Sequence, residues 1–90
     1  MTVVPGEPHV LDSLGWAYFK LGKYDKAEQY LVQASEKLKS ATVYEHLGNL
    51  YDKLDKKDLA VADWQKALAL LTEPSDLARL KSKIAAASNK

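Results

Sequence analysis

Leu11, Leu14, Gly15 and Tyr18 fall at i, i+3, i+4 and i+7, the spacing that lines one face of an α-helix. Tyr44, Leu47, Gly48 and Tyr51 repeat that pattern 33 residues later. A second pattern follows in the same register, with Ala27, Leu31 and Ala34 matched by Ala60, Trp64 and Ala67. Two patterns sharing one offset make an internal duplication, and each copy holds two helices. A further step of 33 reaches Leu77, Leu80 and Ile84, but Lys81 stands where Gly15 and Gly48 stand. A glycine inside a helix costs about 1 kcal/mol relative to alanine, so it marks a place where another helix comes close. Lys81 marks the reverse, and the third unit reads as a single closing helix.

Punctuation between the patterns places five helices. Pro8 suits the first turn of a helix over 8–21, where a missing N–H costs nothing. Gly22 then supplies a left-handed stop. Asp25 with Glu28 has the form of a capping box and predicts a second helix over 25–37. Ser40 caps a third over 41–54. Asp55 follows it where the first copy has Gly22, at some strain, because a side chain disfavours the left-handed region. Asp58 starts a fourth helix to 71, Glu73 and Pro74 break it, and Ser75 or Asp76 caps the fifth. The predicted core is Leu11, Leu14, Tyr18, Leu21, Ala27, Leu31, Ala34, Leu38, Tyr44, Leu47, Tyr51, Leu54, Ala60, Trp64, Ala67, Leu71, Leu77, Leu80 and Ile84. The expected fold is all-α: an arm at 1–7, helix pairs at 8–40 and 41–73, and a closing helix with its tail at 74–90.

Composition narrows the function. At 47% hydrophobic and 28% charged, the 90 residues belong with folded rather than disordered chains. Thirteen basic residues against twelve acidic ones give a net charge of +1, and Arg79 is the sole arginine. Nucleic-acid binders carry a strongly basic face instead. With no cysteine, a disulfide scaffold, a thiolate zinc site and a cysteine nucleophile are all excluded. The longest apolar run covers residues 67–71, against the ~20 residues that a membrane-spanning helix needs. Residues 1–8 have neither the basic start nor the apolar stretch of a secretory leader. The expected compartment is the cytoplasm, or the periplasm for a chain whose leader has been cut.

The duplicated pattern resembles the tetratricopeptide repeat (TPR), in which L-G-x-x-Y is followed by alanine, a large apolar residue and a second alanine. The resemblance covers residues 8–87 and has a bacterial style. It departs from the family in its period, 33 here against about 34, and in lacking the proline that usually ends the first repeat. The shorter link near Lys39 and Ser40 bears on superhelical pitch rather than on fold. What the resemblance implies is an α-solenoid of two helix pairs plus one capping helix.

In TPR proteins the first helix of each pair lines a concave groove that takes an extended or helical peptide. Carried onto this sequence, the groove candidates are His9, Asp12, Ser13, Trp16, Phe19 and Lys20 on the first helix. On the third they are Thr42, Glu45, His46, Asn49, Asp52 and Lys53, and the fifth adds Ser75, Arg79 and Ser82. Asn49 follows Gly48, where many peptide-binding repeats carry an asparagine that bonds the ligand backbone. A clamp for a partner's C-terminal carboxylates is not implied. Of its matching places, Asp12, Trp16, His46, Ser75 and Arg79, only Arg79 fits.

Asp12, Glu45 and Asp52 beside Trp16 and Phe19 suit a ligand with apolar anchors and basic residues. Trp16 and Phe19 lie three apart, beside rather than on the core stripe, as interface anchors do. Folding of the arm over them, or coverage by a preceding repeat, satisfies the same pattern. His9, Asp12, Glu45 and His46 lack the spacing of a metal motif. No phosphate loop, H-E-x-x-H or Ser-His-Asp order appears. Lys23, Lys26, Lys37, Lys56, Lys57 and Lys66 are scattered among acids, as on a solvated convex surface. The expectation is a non-enzymatic module without cofactor or metal, a monomer or weak homodimer, that binds a protein or peptide. The alternative is a self-associating unit or the C-terminal cap of a longer solenoid.

Overall fold

Glu7 opens the first helix by accepting the Val10 N–H on its carboxylate at 3.1 Å, with Pro8 in the first helical position. From there the computed structural model describes residues 7–88. Five helices follow: α1 (Pro8–Lys20), α2 (Tyr24–Lys37), α3 (Ala41–Lys53), α4 (Lys57–Ala69) and α5 (Pro74–Ser88). Among the described residues there is no strand. Each helix packs on the next in sequence, and α1 also meets α3. The result measures 43 × 28 × 18 Å, so its thin dimension is about two helices deep. It is an all-α solenoid of two helix pairs and a fifth helix.

The two turns within the pairs are built alike. Gly22 N–H bonds to Phe19 O and Lys23 N–H to Tyr18 O, and Asp55 and Lys56 make the same bonds to Asp52 and Tyr51. This Schellman closure needs a left-handed residue after the helix, and Gly22 and Asp55 have φ of 77° and 62°. The closure also draws the next helix forward. α2 begins at Tyr24 with Lys23 as N-cap, so the expected capping box of Asp25 and Glu28 does not form. Glu28 instead accepts the Tyr51 hydroxyl at 3.0 Å. Likewise α4 begins at Lys57, with Asp58 in its first turn, where a negative charge suits the helix dipole. Ser40 is the N-cap of α3 but gives no side-chain cap bond. α5 starts at Pro74 rather than after Ser75 or Asp76, with Leu77 N–H bonded to Glu73 O.

The core forms where the repeat placed its small residues. Ala27, Ala34, Ala60 and Ala67 are fully buried, as are Leu31, Leu50 and Leu80. Gly15 lies against Leu31, and Gly48 lies against the ring of Trp64. Lys81 is exposed, as its place in the pattern required. Four expected core residues are not in the core: Leu14 is 40% and Leu21 69% exposed, and Leu38 and Leu77 are half-buried outside it. The counterparts of Leu14 and Leu21, Leu47 and Leu54, lie next to α2, whereas no described helix covers that side of α1. Val43, Leu50, Ala87 and the carboxylate-bearing Asp63 are buried beyond expectation. Burial raises the Asp63 carboxyl above its ordinary value, against the pull of Lys66 at 3.9 Å.

Candidate functional site

α1, α3 and α5 meet side by side through their side chains and form one face. At the α1 end, Trp16 is the middle of a three-ring stack. Its ring lies 4.8 Å from Phe19 and 4.0 Å from His46, at 10° and 14° from parallel. Lys20 Nζ sits 5.6 Å from the Trp16 ring centre, and Phe19 leans on Tyr24 of α2. His46 is held in place by its Nδ1, 2.8 Å from Asp12 Oδ1. Trp16 and Phe19 are half-buried, so the patch expected to stand open is partly closed by His46.

At the α5 end the face is ionic. Arg79 grips Glu45 with two bonds, both 2.9 Å, and Asp76 with a third of 2.7 Å. Lys83 donates to Glu45 at 2.8 Å and to Asn49 Oδ1 at 3.0 Å. Asn49 Oδ1 also accepts the Trp64 indole N–H at 3.2 Å, and Lys83 Nζ stands 5.9 Å from that ring. The Arg79 hydrogen bonds, helped by Lys83, hold the Glu45 carboxyl down to about 2 from 4.5 despite its partial burial. Glu45 in turn raises Arg79 further above its ordinary value. Burial, with the Glu28 hydrogen bond, raises the Tyr51 phenol.

A carboxylate depressed by folding adds stability that is complete above its unfolded value and is lost as pH falls through its folded value. Acid between pH 4.5 and 2 therefore loosens the tie of α5 to α3. Arg79 is 45% exposed, so solvent screens the pair and the effect is modest. Thermal melts across this range should show a steeper acid loss for the wild type than for Glu45→Gln. Parallel pH profiles would contradict the tie.

The other expected residues fall as follows. Asp52 pairs with Lys57 at the start of α4. Lys53 is exposed at the end of α3, and His9 is exposed near the start of α1. His9 lines a shallow depression of about 440 Å³ with Val10, Ser13 and Leu14. Of the four residues weighed as metal ligands, Asp12 meets His46, and among the described residues no group of three ligating side chains forms. Asp12, Glu45 and Asp52 each have a cationic or imidazole partner, so the expected attraction for a basic ligand has little unpaired charge behind it.

Sequence reasoning missed Lys83 and the inward role of the Trp64 N–H. A signal existed: Asp12 with His46, Glu45 with Arg79, and Asn49 with Lys83 are each 34 apart, one beyond the repeat period.

Two tetratricopeptide repeat models match the chain, one over residues 8–39 and the other over 41–70. The chain belongs to the tetratricopeptide repeat family. A TPR repeat-containing protein of Pseudomonas aeruginosa is 43% identical over 44 residues, 49% of this chain and 8% of its own length. A subunit of the anaphase-promoting complex of Saccharomyces cerevisiae is 31% identical over 67 residues, 66% of this chain and 8% of its own length. The bacterial relative fits the style read in the sequence. This TPR chain thus spans a small fraction of either relative. TPR repeats generally mediate protein–protein interaction and are not catalytic units. Among the described residues, no helix of this TPR chain is long and apolar enough to cross a membrane.

Proposed function

We propose that this TPR chain is a non-enzymatic binding module whose α1–α3–α5 face takes a protein or peptide segment, with Trp16 and Phe19 as the apolar anchor. The observation that carries the reading is the stack itself. Two large aromatics lie beside the core stripe, half-exposed and held rigid by His46 and Asp12. Rigid aromatics lose little entropy when a partner covers them. The paired acids and bases leave the face close to neutral, which favours an apolar ligand residue over a charged one. Asn49 spends its oxygen on Trp64 and Lys83, and no described residue accepts from its Nδ2. That amide is the group for a ligand backbone carbonyl.

Selection of a displayed peptide library on the immobilised chain tests the proposal. A selected peptide should bind Trp16→Ala ~10-fold or more weakly, while chemical denaturation shows a stability loss of ~1 kcal/mol from the missing ring stacking. No enrichment, or a peptide indifferent to Trp16→Ala, would remove the groove from consideration.

A further inference from the structure

Val10, Leu14, Ala17 and Leu21 form a stripe along α1 that the repeat carries onto Val43, Leu47, Leu50 and Leu54 of α3, 33 residues on. Successive residues turn about 100° round a helix, so in both helices this stripe lies well away from the glycine that meets the pair's own second helix. In α3 the stripe faces α2, and Val43, Leu47 and Leu50 are at most 3% exposed. In α5, which packs on α4, the same offset leads to Leu80 and Ala87, buried at 0% and 7%, with Asp76 and Lys83 at the other two places. Twice, then, the fold covers this surface with a helix. On α1 no described helix covers it, and Leu14 is 40% and Leu21 69% exposed.

We propose that a second copy of this chain covers the stripe, its α1 lying antiparallel on the first about a two-fold axis between Leu14 and Ala17. Three observations select this occupant. The stripe is symmetric about a point between Leu14 and Ala17, so a two-fold there sets Val10 against Leu21 and Leu14 against Ala17. The stripe has no charged residue, while Glu7 caps one end of α1 and Lys23 follows the other. An antiparallel pair sets those opposite charges together, whereas a parallel pair sets like beside like. Finally, head-to-tail stacking on α5 is opposed by exposed Lys81, so association closes at two instead of running on. The surface is separate from the Trp16 face, and the inference does not depend on the groove reading.

Sedimentation equilibrium from about 10 µM to 1 mM suits the weak affinity expected of so small an interface. The wild type should rise from the mass of one chain towards that of two. Leu14→Lys, an exposed substitution that leaves folding intact by circular dichroism, should weaken association ~10-fold or more. Trp16→Ala should leave it unchanged. A single-chain mass at every concentration overturns the proposal. In that monomer, NOEs from the Leu14 methyls to Val3 or Val4 would assign the stripe to the chain's own amino terminus, and their absence would leave it to a foreign helix. A dimer that ignores Leu14→Lys, or masses that climb beyond two chains, overturns it equally.

Discussion

Gly48→Leu should cost about 3 kcal/mol or more, a large share of the stability available to a chain this small. A Cβ on Gly48 would lie 2.3 Å from Cδ1 and Nε1 of Trp64 and 2.8 Å from its Cγ. All three are atoms of one rigid ring that is itself only 3% exposed, so there is no room to turn aside. At Gly15 the nearest atoms are Leu31 Cγ and Cδ2, at 2.6 and 2.8 Å, and the Leu31 backbone N at 3.1 Å, each a few tenths of an ångström farther than the Trp64 atoms at Gly48. Gly15→Leu should therefore be the milder of the two. Even Gly48→Ala should destabilise, although alanine favours the helix by about 1 kcal/mol. Each net kcal/mol lowers Tm by roughly 4–8 °C in a domain of this size. Adding Trp64→Leu to Gly48→Ala should recover part of the loss, which a double-mutant cycle reads directly. An unchanged melting temperature for Gly48→Ala would contradict the close approach of α3 and α4.

Leu80→Ala is expected to cost about 2–5 kcal/mol, the range for a leucine truncated in a packed interior. Leu80 is fully buried, and α5 has only Ala87 besides it below the surface, with Leu77 and Ile84 half-buried. α5 packs mainly on one helix, α4. The loss should therefore appear as local detachment before global unfolding. Hydrogen exchange should accelerate throughout α5 while α1 and α2 keep their protection. Uniform acceleration across all five helices would mean that α5 is part of one cooperative unit.

The duplication at offset 33 made the helix pairs legible, because Gly15 and Gly48 mean the same thing wherever they occur: a neighbour at contact distance. Leu14 and Leu47 show where such reasoning stops. They are the same residue in the same pattern, yet one is 40% and the other 3% exposed. Periodicity records which face a residue is on, and burial depends on whether a helix lies across that face. The capping error at Asp25 has a different origin. Sequence preference favoured an acidic cap, but the hydrogen bonds of the Gly22 turn fixed the chain path first and left Lys23 in the position.

The candidate site was legible by element and not by contact. Asp12, Trp16 and His46 were each assigned to the face one helix at a time. Their meeting depends on how α1 leans against α3, which the periodicity within either helix does not encode and only the 34-residue spacing between them marks. Glu45 and Arg79 were likewise chosen as ligand contacts, and the structure has them satisfying each other.

The two tryptophans occupy environments of opposite kind, and that gives the molecule an optical readout of its own state. Trp64 is enclosed, with its N–H on Asn49 and an ammonium near its ring, so its emission belongs to a dry interior. Trp16 is half-buried and stacked on the His46 imidazole at the face of the solenoid. One indole therefore reports whether the solenoid is assembled. The other reports on the solvent side of the α1–α3–α5 face.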